Sequence, residues 1–174
     1  EINNGLPNSL NVPRIAFDPN DTNTLYAAVM DDNGGLFKST DNGDNWTEVA
    51  STASISGSSG INDIHFDVNG NAYITSGYKN VSANAGGLWV SKDNMTTWTQ
   101  LFDYPWVNRV EVAKYDPDVI LISTLPNSKV DFRNGGTYLS KNGGTTWVKF
   151  NKGNGQSERV NDIAIDYTVR GKYY

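Results

Sequence analysis

The stretch Gly34-Gly35-Leu36-Phe37-Lys38-Ser39-Thr40-Asp41-Asn42-Gly43-Asp44-Asn45-Trp46 recurs twice more in altered form. It aligns without gaps on Gly86-Gly87-Leu88-Trp89-Val90-Ser91-Lys92-Asp93-Asn94-Met95-Thr96-Thr97-Trp98 and on Gly135-Gly136-Thr137-Tyr138-Leu139-Ser140-Lys141-Asn142-Gly143-Gly144-Thr145-Thr146-Trp147. Ser39 and Ser91 lie 52 residues apart, and Ser91 and Ser140 lie 49 apart. A second register agrees: Arg14-Ile15-Ala16-Phe17-Asp18, Asp63-Ile64-His65-Phe66-Asp67, Arg109-Val110-Glu111-Val112-Ala113 and Asp162-Ile163-Ala164-Ile165-Asp166 recur at 49, 46 and 53. Two registers with one period mark a repeat architecture, in which each unit packs on its neighbours because it cannot bury its apolar faces alone.

Within a period the apolar residues come in short runs bounded by Gly, Asn, Asp and Pro, which is the pattern of strands and turns. The first unit reads as strands at 14–17, 25–29, 36–39 and 46–49, so each unit is a four-stranded meander. Repeated units of this kind predict an all-β fold, a β-propeller of four-stranded antiparallel blades. The blades span about 10–50, 60–102 and 107–150, with 158–174 starting a further blade, all within one domain. No segment holds a 3.6-residue period for three turns, so no helix is expected. Three units and a fragment fall short of the typical 4–8 blades of a ring. The expectation is that the remaining blades come from a longer chain or from another chain.

Composition narrows the function. The 174 residues contain no cysteine, one histidine (His65) and a net charge of −5. Cysteine-ligated metals and disulfides are excluded, no metal or cofactor is expected, and His65 on an inner strand reads as structural. No Lys/Arg cluster offers a footprint for phosphate backbones, so nucleic acid is not an expected partner. No apolar run approaches the roughly 20 residues of a spanning helix, so membrane insertion is not expected.

The element Ser39-Thr40-Asp41-Asn42-Gly43-Asp44-Asn45-Trp46 resembles the Asp-box, or BNR, repeat. Such a turn needs a short acceptor for nearby backbone N–H groups, a residue tolerant of positive φ, and an anchor on the returning strand. Asp41, Gly43 and Trp46 supply these parts after Ser39. Ser91, Asp93 and Trp98 repeat them in the second unit, and Ser140, Asn142, Gly144 and Trp147 in the third. Asn142 keeps an acceptor but has no acid–base capacity, so these residues read as hairpin staples. Met95 stands where the other units have glycine, and that turn is expected to relax away from positive φ.

Connections in an antiparallel meander alternate between the two ends of the sheet. The end opposite the staples collects the longer loops, around 30–34, 76–86 and 124–135, and the inter-blade links, where binding residues concentrate. They carry Asp31 and Asp32; Tyr78, Asn80 and Asn84; Asp103, Tyr104, Trp106 and Asn108; and Asp131 and Arg133. Flat aromatics stack on pyranose rings while Asn, Asp and Arg bond hydroxyls. Tyr78, Tyr104, Trp106 and Arg133 are therefore candidate substrate-binding residues. Trp106 reads equally well as packing between blades, and Trp89, within a strand, reads as core.

Leu25-Tyr26-Ala27-Ala28-Val29-Met30-Asp31-Asp32-Asn33-Gly34-Gly35-Leu36-Phe37 resembles the Tyr-Ala-Arg-x-Asp-x-Gly-Gly-x-Tyr-Arg segment of the xyloglucanases of glycoside hydrolase family 74. Asn161-Asp162-Ile163-Ala164-Ile165-Asp166 resembles that family's Gly-Asp-Ile-x-Ile-Asp-Pro segment, and Asn62-Asp63-Ile64-His65-Phe66-Asp67 is close to it as well. The resemblance implies an endo-acting, inverting, secreted or cell-surface hydrolase of polysaccharide, with Asp32 and Asp162 on its two catalytic aspartates. An inverting pair needs one protonated carboxyl and one carboxylate, about 6.5–9.5 Å apart with a water between. The family's arginine is Ala28 here, and its two aspartates are further apart in sequence. Sialidases share the Asp-box turn, but Val12-Pro13-Arg14-Ile15 is not their Phe/Tyr-Arg-Ile-Pro signature. A non-catalytic propeller binding protein or glycan at the cell surface stands as the other reading, since propellers host both.

Overall fold

A computed structural model of the chain describes residues 3–8, 11–30, 34–56, 60–78, 86–127, 135–150, 159–167 and 169–174. Twelve strands form three sheets among these residues. The first holds β1 (Arg14–Asp18), β2 (Asp21–Val29), β3 (Gly35–Ser39) and β4 (Thr47–Glu48). The second holds β5 (Ile61–Phe66), β6 (Ala72–Ser76), β7 (Gly87–Ser91) and β8 (Thr99–Phe102). The third holds β9 (Val107–Val112), β10 (Ile120–Thr124), β11 (Gly136–Ser140) and β12 (Val148–Lys149). Strand order follows chain order in every sheet and all pairings are antiparallel. A further hairpin begins after Val160: Ile165 bridges Tyr173, and the Ala164 and Tyr174 backbones exchange both N–H···O bonds at 3.0 and 2.8 Å.

Burial explains the strand sequences. β6 (Ala-Tyr-Ile-Thr-Ser) and β10 (Ile-Leu-Ile-Ser-Thr) are buried at every residue and show no alternation, because stacking covers both faces of the sheet. β4 and β12 are exposed and only two residues long, which limits the unpaired edge each sheet offers to other chains. The core is a series of layers. Tyr26 and Leu36 of the first sheet meet Ile61, Ile64 and Ile74 of the second. Tyr73, Leu88 and Val90 then meet Val110, Val112 and Ile122 of the third, and Leu121 and Leu139 meet Ile163 and Ile165 of the last hairpin.

One expectation fails in the first link. Ala50–Thr52 form a 3-10 turn and Ala53–Ser56 a single α-helical turn, α1, whose Ile55 joins the first inter-sheet layer. A single turn is too short to show the period by which helices are read.

A tyrosine on the second strand of a unit bonds an acid at the end of its first strand. Tyr26 donates to Asp18 at 3.1 Å, Tyr73 to Asp67 at 3.4 Å and Tyr174 to Asp166 at 3.4 Å. In the third sheet Leu121 takes the tyrosine's register and Ala113 the acid's place. Replacing both partners by apolar groups leaves no orphaned polar atom, so the exception is inexpensive.

The three Ser-x-Asp turns share one geometry. Ser39, Ser91 and Ser140 donate to Asp41, Asp93 and Asn142 at 2.7, 2.8 and 3.0 Å. Each serine Oγ accepts the N–H four residues on, from Gly43, Met95 and Gly144, at 2.9 Å in all three. Each Oδ1 likewise accepts the N–H of Asn45, Thr97 or Thr146 at 2.9 Å. The second side-chain atom completes the ring: Asp41 and Asp93 accept from Asn45 and Thr97, whereas Asn142 donates through Nδ2 to Thr146 at 2.8 Å. Trp46 and Trp147 anchor the returning chain by N–H bonds, the Trp46 backbone to the Asn4 carbonyl and the Trp147 indole to the Leu101 carbonyl.

The second turn does not relax. Met95 holds φ 63°, matching Gly43 and Gly144 at 99° and 87°. Its side chain is buried between the first two sheets, and its carbonyl accepts the Ser51 hydroxyl. Trp98 closes the same corner, its indole N–H donating to Ser51 at 3.0 Å. Packing therefore holds a conformation that disfavours a side chain by about 1–2 kcal/mol.

Hydrogen bonds from the Asn45 and Thr97 side chains, with N–H donors from their backbones, hold the Asp41 and Asp93 carboxyls at about 2, below the ordinary 3.8. A folded-state pKa below the unfolded one contributes stability above the unfolded value and loses it as pH falls. The contribution of both turns should thus fade from just below pH 4 towards 2. Thermal melting should show a shallower acid decline for a D41N/D93N double variant than for the parent. Parallel declines would mean that the two carboxyls take no part in acid unfolding.

Candidate functional site

The loop end of the sheets is fixed by three register pairs. Val29 pairs Gly35, Ser76 pairs Gly87 and Thr124 pairs Gly136, so all three second-to-third connections leave the sheets opposite the Ser-x-Asp turns. Asp31, Asp32, Asn80, Asn84, Asp131 and Arg133 lie on these connections but outside the described residues.

The link from the second sheet to the third runs across this end. Gly77 bridges Trp106, and a Cβ at Gly77, which sits at φ 110°, would strike the Pro105 carbonyl. A Cβ at Gly86 would strike the same carbonyl, so two glycines let the link lie flat on the ends of β6 and β7. The result brings Tyr78 and Trp106 together, with ring centroids 5.3 Å apart. The Arg159 guanidinium stands 5.9 Å from the Trp106 ring centre. Leu125 N–H donates to the Trp106 carbonyl, and the buried Asn127 donates to the Tyr78 carbonyl at 2.9 Å, locking the third sheet onto the pair.

The aromatic candidates differ in access. Tyr78 is half-buried, while Trp106 is 6 % exposed and its buried indole N–H has no hydrogen-bond partner among the described residues. Tyr104 is 8 % exposed, stacked on Phe102 at 6.2 Å within the second inter-sheet layer. Trp89 is partly buried against the first layer. Asn108 does not face the loops: its amide donates to the Val160 and Asn161 carbonyls.

The inner strands carry the titratable groups. Asp63 is almost wholly buried; its carboxylate accepts Ile64 and Val110 N–H groups, and Arg14 lies 3.4 Å away. Burial pushes this carboxyl up to about 6, against the pull of those N–H groups, Arg14 and Arg109. His65 faces Glu111 at 3.9 Å, and the Tyr167 hydroxyl donates to Glu111 at 2.9 Å. Burial lowers the His65 pKa, which keeps the imidazole neutral at pH 7 and suits a structural role. Asp162 is exposed, bonding only its neighbour's N–H at 3.1 Å among the described contacts. Among the described residues no three His, Cys, Asp or Glu side chains gather as a metal site, and no helix is long and apolar enough to cross a membrane.

Sequence reading missed the inter-sheet roles of Asn62 and of Asn108, which it placed among the sugar-suited loop residues, and it missed Asn127. The first two had a visible signal: an asparagine precedes the strand-one motif at 62, 108 and 161. Asn62 is fully buried and donates to the Gly77 carbonyl at 2.9 Å and the Val107 carbonyl at 2.8 Å, tying its sheet to the next.

Stacked four-stranded antiparallel sheets with repeated hairpin turns define this chain as blades of a β-propeller. No family model matches the chain. It is 26 % identical over 140 residues to a Paenibacillus xyloglucanase, covering 74 % of this chain and 13 % of that relative. Its fold is similar to that of a GH74 enzyme from Niastella koreensis, with a TM-score of 0.54 and 23 % identity over 78 % of this chain and 22 % of that one. An ancestral GH74 enzyme aligns with a TM-score of 0.61 and 18 % identity over 84 % of this chain and 19 % of its own. The chain thus spans a small part of the relatives it matches and shares a xyloglucanase-like propeller fold with them.

Proposed function

We propose that this chain is a propeller segment of a secreted or cell-surface glycoside hydrolase acting on a xyloglucan-type polysaccharide. The observation that carries the reading is the likeness to the Paenibacillus xyloglucanase over 140 residues. The loop end, where Tyr78 and Trp106 are clamped by Asn127 and Arg159, supports it. Blades at 10–50, 60–102 and 107–150, with 158–174 opening another, belong to this reading.

Roles divide by access. Tyr78 offers a ring to a sugar face, Trp106 holds that ring in place, and Arg133 and Asp32 come from the neighbouring loops. Asp32 supplies one acting carboxyl. Asp162 occupies the repeat position of Asp63, whose carboxylate serves the contact between sheets, so we assign it to that contact rather than to chemistry. Hydrolysis by two carboxyls needs no cofactor.

Titration calorimetry with xyloglucan oligosaccharides tests the platform. Tyr78→Ala should weaken binding about tenfold or more, and Trp106→Ala should do the same by freeing Tyr78. Unchanged affinity in both variants would remove these residues from the site.

A further inference from the structure

We propose that a cavity between the second and third sheets, at the end that carries the Ser-x-Asp turns, holds one ring of a neutral sugar. This is a binding site apart from the loop end, and it goes beyond the proposed activity because it retains sugar rather than cleaving it. Both of its walls belong to consecutive sheets of this chain, β5–β8 and β9–β12.

The turns that close the two seams carry different side chains on one backbone. Where the second sheet meets the first, the turn carries Asn94 and Met95 at φ 55° and 63°, and Met95 is buried between the two sheets. Where the third sheet meets the second, the same positions are Gly143 and Gly144 at φ 63° and 87°. A Cβ at Gly144 would lie 3.1 Å from Leu101, so the Leu101 side chain closes over the backbone there. A Cβ at Gly143 would lie 3.1 Å from Asp118 Oδ1, and beside this bare residue opens a cavity of about 180 Å³. Asn42 holds the same position in the first turn at φ 61°, so the backbone does not require glycine here.

Both walls are set in advance. Asp67, 5 % exposed, accepts the Asn69 and Asn71 N–H groups at 2.8 and 2.9 Å and the Asn71 side-chain amide at 2.8 Å, which fixes the loop between β5 and β6. The Tyr73 hydroxyl donates to the same carboxylate at 3.4 Å. Burial, then Asp67 and Asp118, push the Tyr73 pKa up, so this hydroxyl keeps its proton. Across the cavity, Asp116 accepts the Asp118 N–H at 3.2 Å and the Asp118 carbonyl accepts the Gly143 N–H at 3.0 Å, which fixes the opposite loop. A ligand therefore meets groups already ordered, and binding has little left to arrange.

The lining selects a neutral polyol. Lys92 donates, Asp118 accepts, and the Asn69 and Asn71 amides do both. Sugar hydroxyls likewise donate and accept, while Val90, Leu101 and Pro117 offer apolar surface to the C–H face of a ring. An anion would face Asp67 and Asp118. A hard cation would face Lys92, and among the described residues no three acidic or histidine side chains gather to hold it. The volume falls below the roughly 300 Å³ at which sites for drug-sized ligands begin, so it takes one ring rather than a chain.

Fluorine NMR reads the site directly, with 3-fluorotyrosine placed at position 73 in the polypeptide that carries this chain. Titration with methyl β-glucoside, and then with xyloglucan oligosaccharides, should shift the resonance saturably. Gly143→Asn restores the asparagine of the other two turns and directs it at Asp118, and Asp118→Ala removes an exposed acceptor; circular dichroism confirms that both variants fold. Each should raise the dissociation constant about tenfold or more, while Tyr78→Ala, at the loop end, should leave it unchanged. Absence of a saturable shift overturns the proposal, as does a shift that is unaltered in both variants or that vanishes in Tyr78→Ala. Reducing ends are read on the same polypeptide: a saturable shift without hydrolysis supports this site and overturns the hydrolase.

Discussion

Ile64→Ala should lower unfolding stability by about 3–4 kcal/mol in urea titration. The side chain is fully buried between the first two sheets, among Tyr26, Leu36, Ile74 and Met95. The two sheets are held at fixed spacing by their own ladders, by Arg14 against Asp63 at 3.4 Å and by the Ser51 hydroxyl on the Met95 carbonyl, so the vacated volume has little room to collapse. Ile15→Ala makes the identical chemical change at the equivalent repeat position, where the residue is 55 % exposed, and should cost about 0.5 kcal/mol or less. Equal losses in the two variants would contradict the layered packing.

Met95→Gly should also destabilise, by about 2 kcal/mol, although glycine occupies this position in the other two turns. Relieving the left-handed backbone returns about 1 kcal/mol, since Met95 sits at φ 63°. Losing a buried methionine removes about 2–4 kcal/mol from the layer it shares with Ile55, Ile61 and Ile64. Packing therefore outweighs strain, and the urea midpoint should fall. Met95→Ala separates the two effects, since it loses the side chain and keeps the strain. A midpoint that rises in Met95→Gly would mean that the turn, rather than the layer, dominates.

The architecture was legible because it is periodic. Two registers recurring together located all three sheets, and the alternation of loop ends placed the candidate site opposite the staples. What escaped was whatever departs from the period or acts between periods. Met95 was read as an unfavourable turn residue because its partner surface belongs to the neighbouring sheet, which a local motif does not display. The turn at Ala53–Ser56 had too few residues to declare a helical face. Asn108 was read as a sugar ligand from its chemistry and loop position, yet its amide is spent on the next unit's carbonyls. Tyr104 looked like an open platform in sequence and Trp106 read equally as platform or as packing between blades; the link that carries them is pressed flat by Gly77 and Gly86 and both are buried. Asp32 takes its role from the resemblance and Arg133 from its chemistry and loop position, and both fall outside the described residues.

The central claim is that this propeller segment serves polysaccharide hydrolysis through Asp32. Reducing ends released from xyloglucan by the polypeptide that carries this chain give the most direct test, measured for the parent and for Asp32→Asn, with Asp41→Asn as a control in a staple. The account predicts turnover by the parent, a loss of at least about a hundredfold in Asp32→Asn, and near-parental rates in Asp41→Asn. Xyloglucan bound tightly with no reducing ends released, or Asp32→Asn cleaving as fast as the parent, would contradict it.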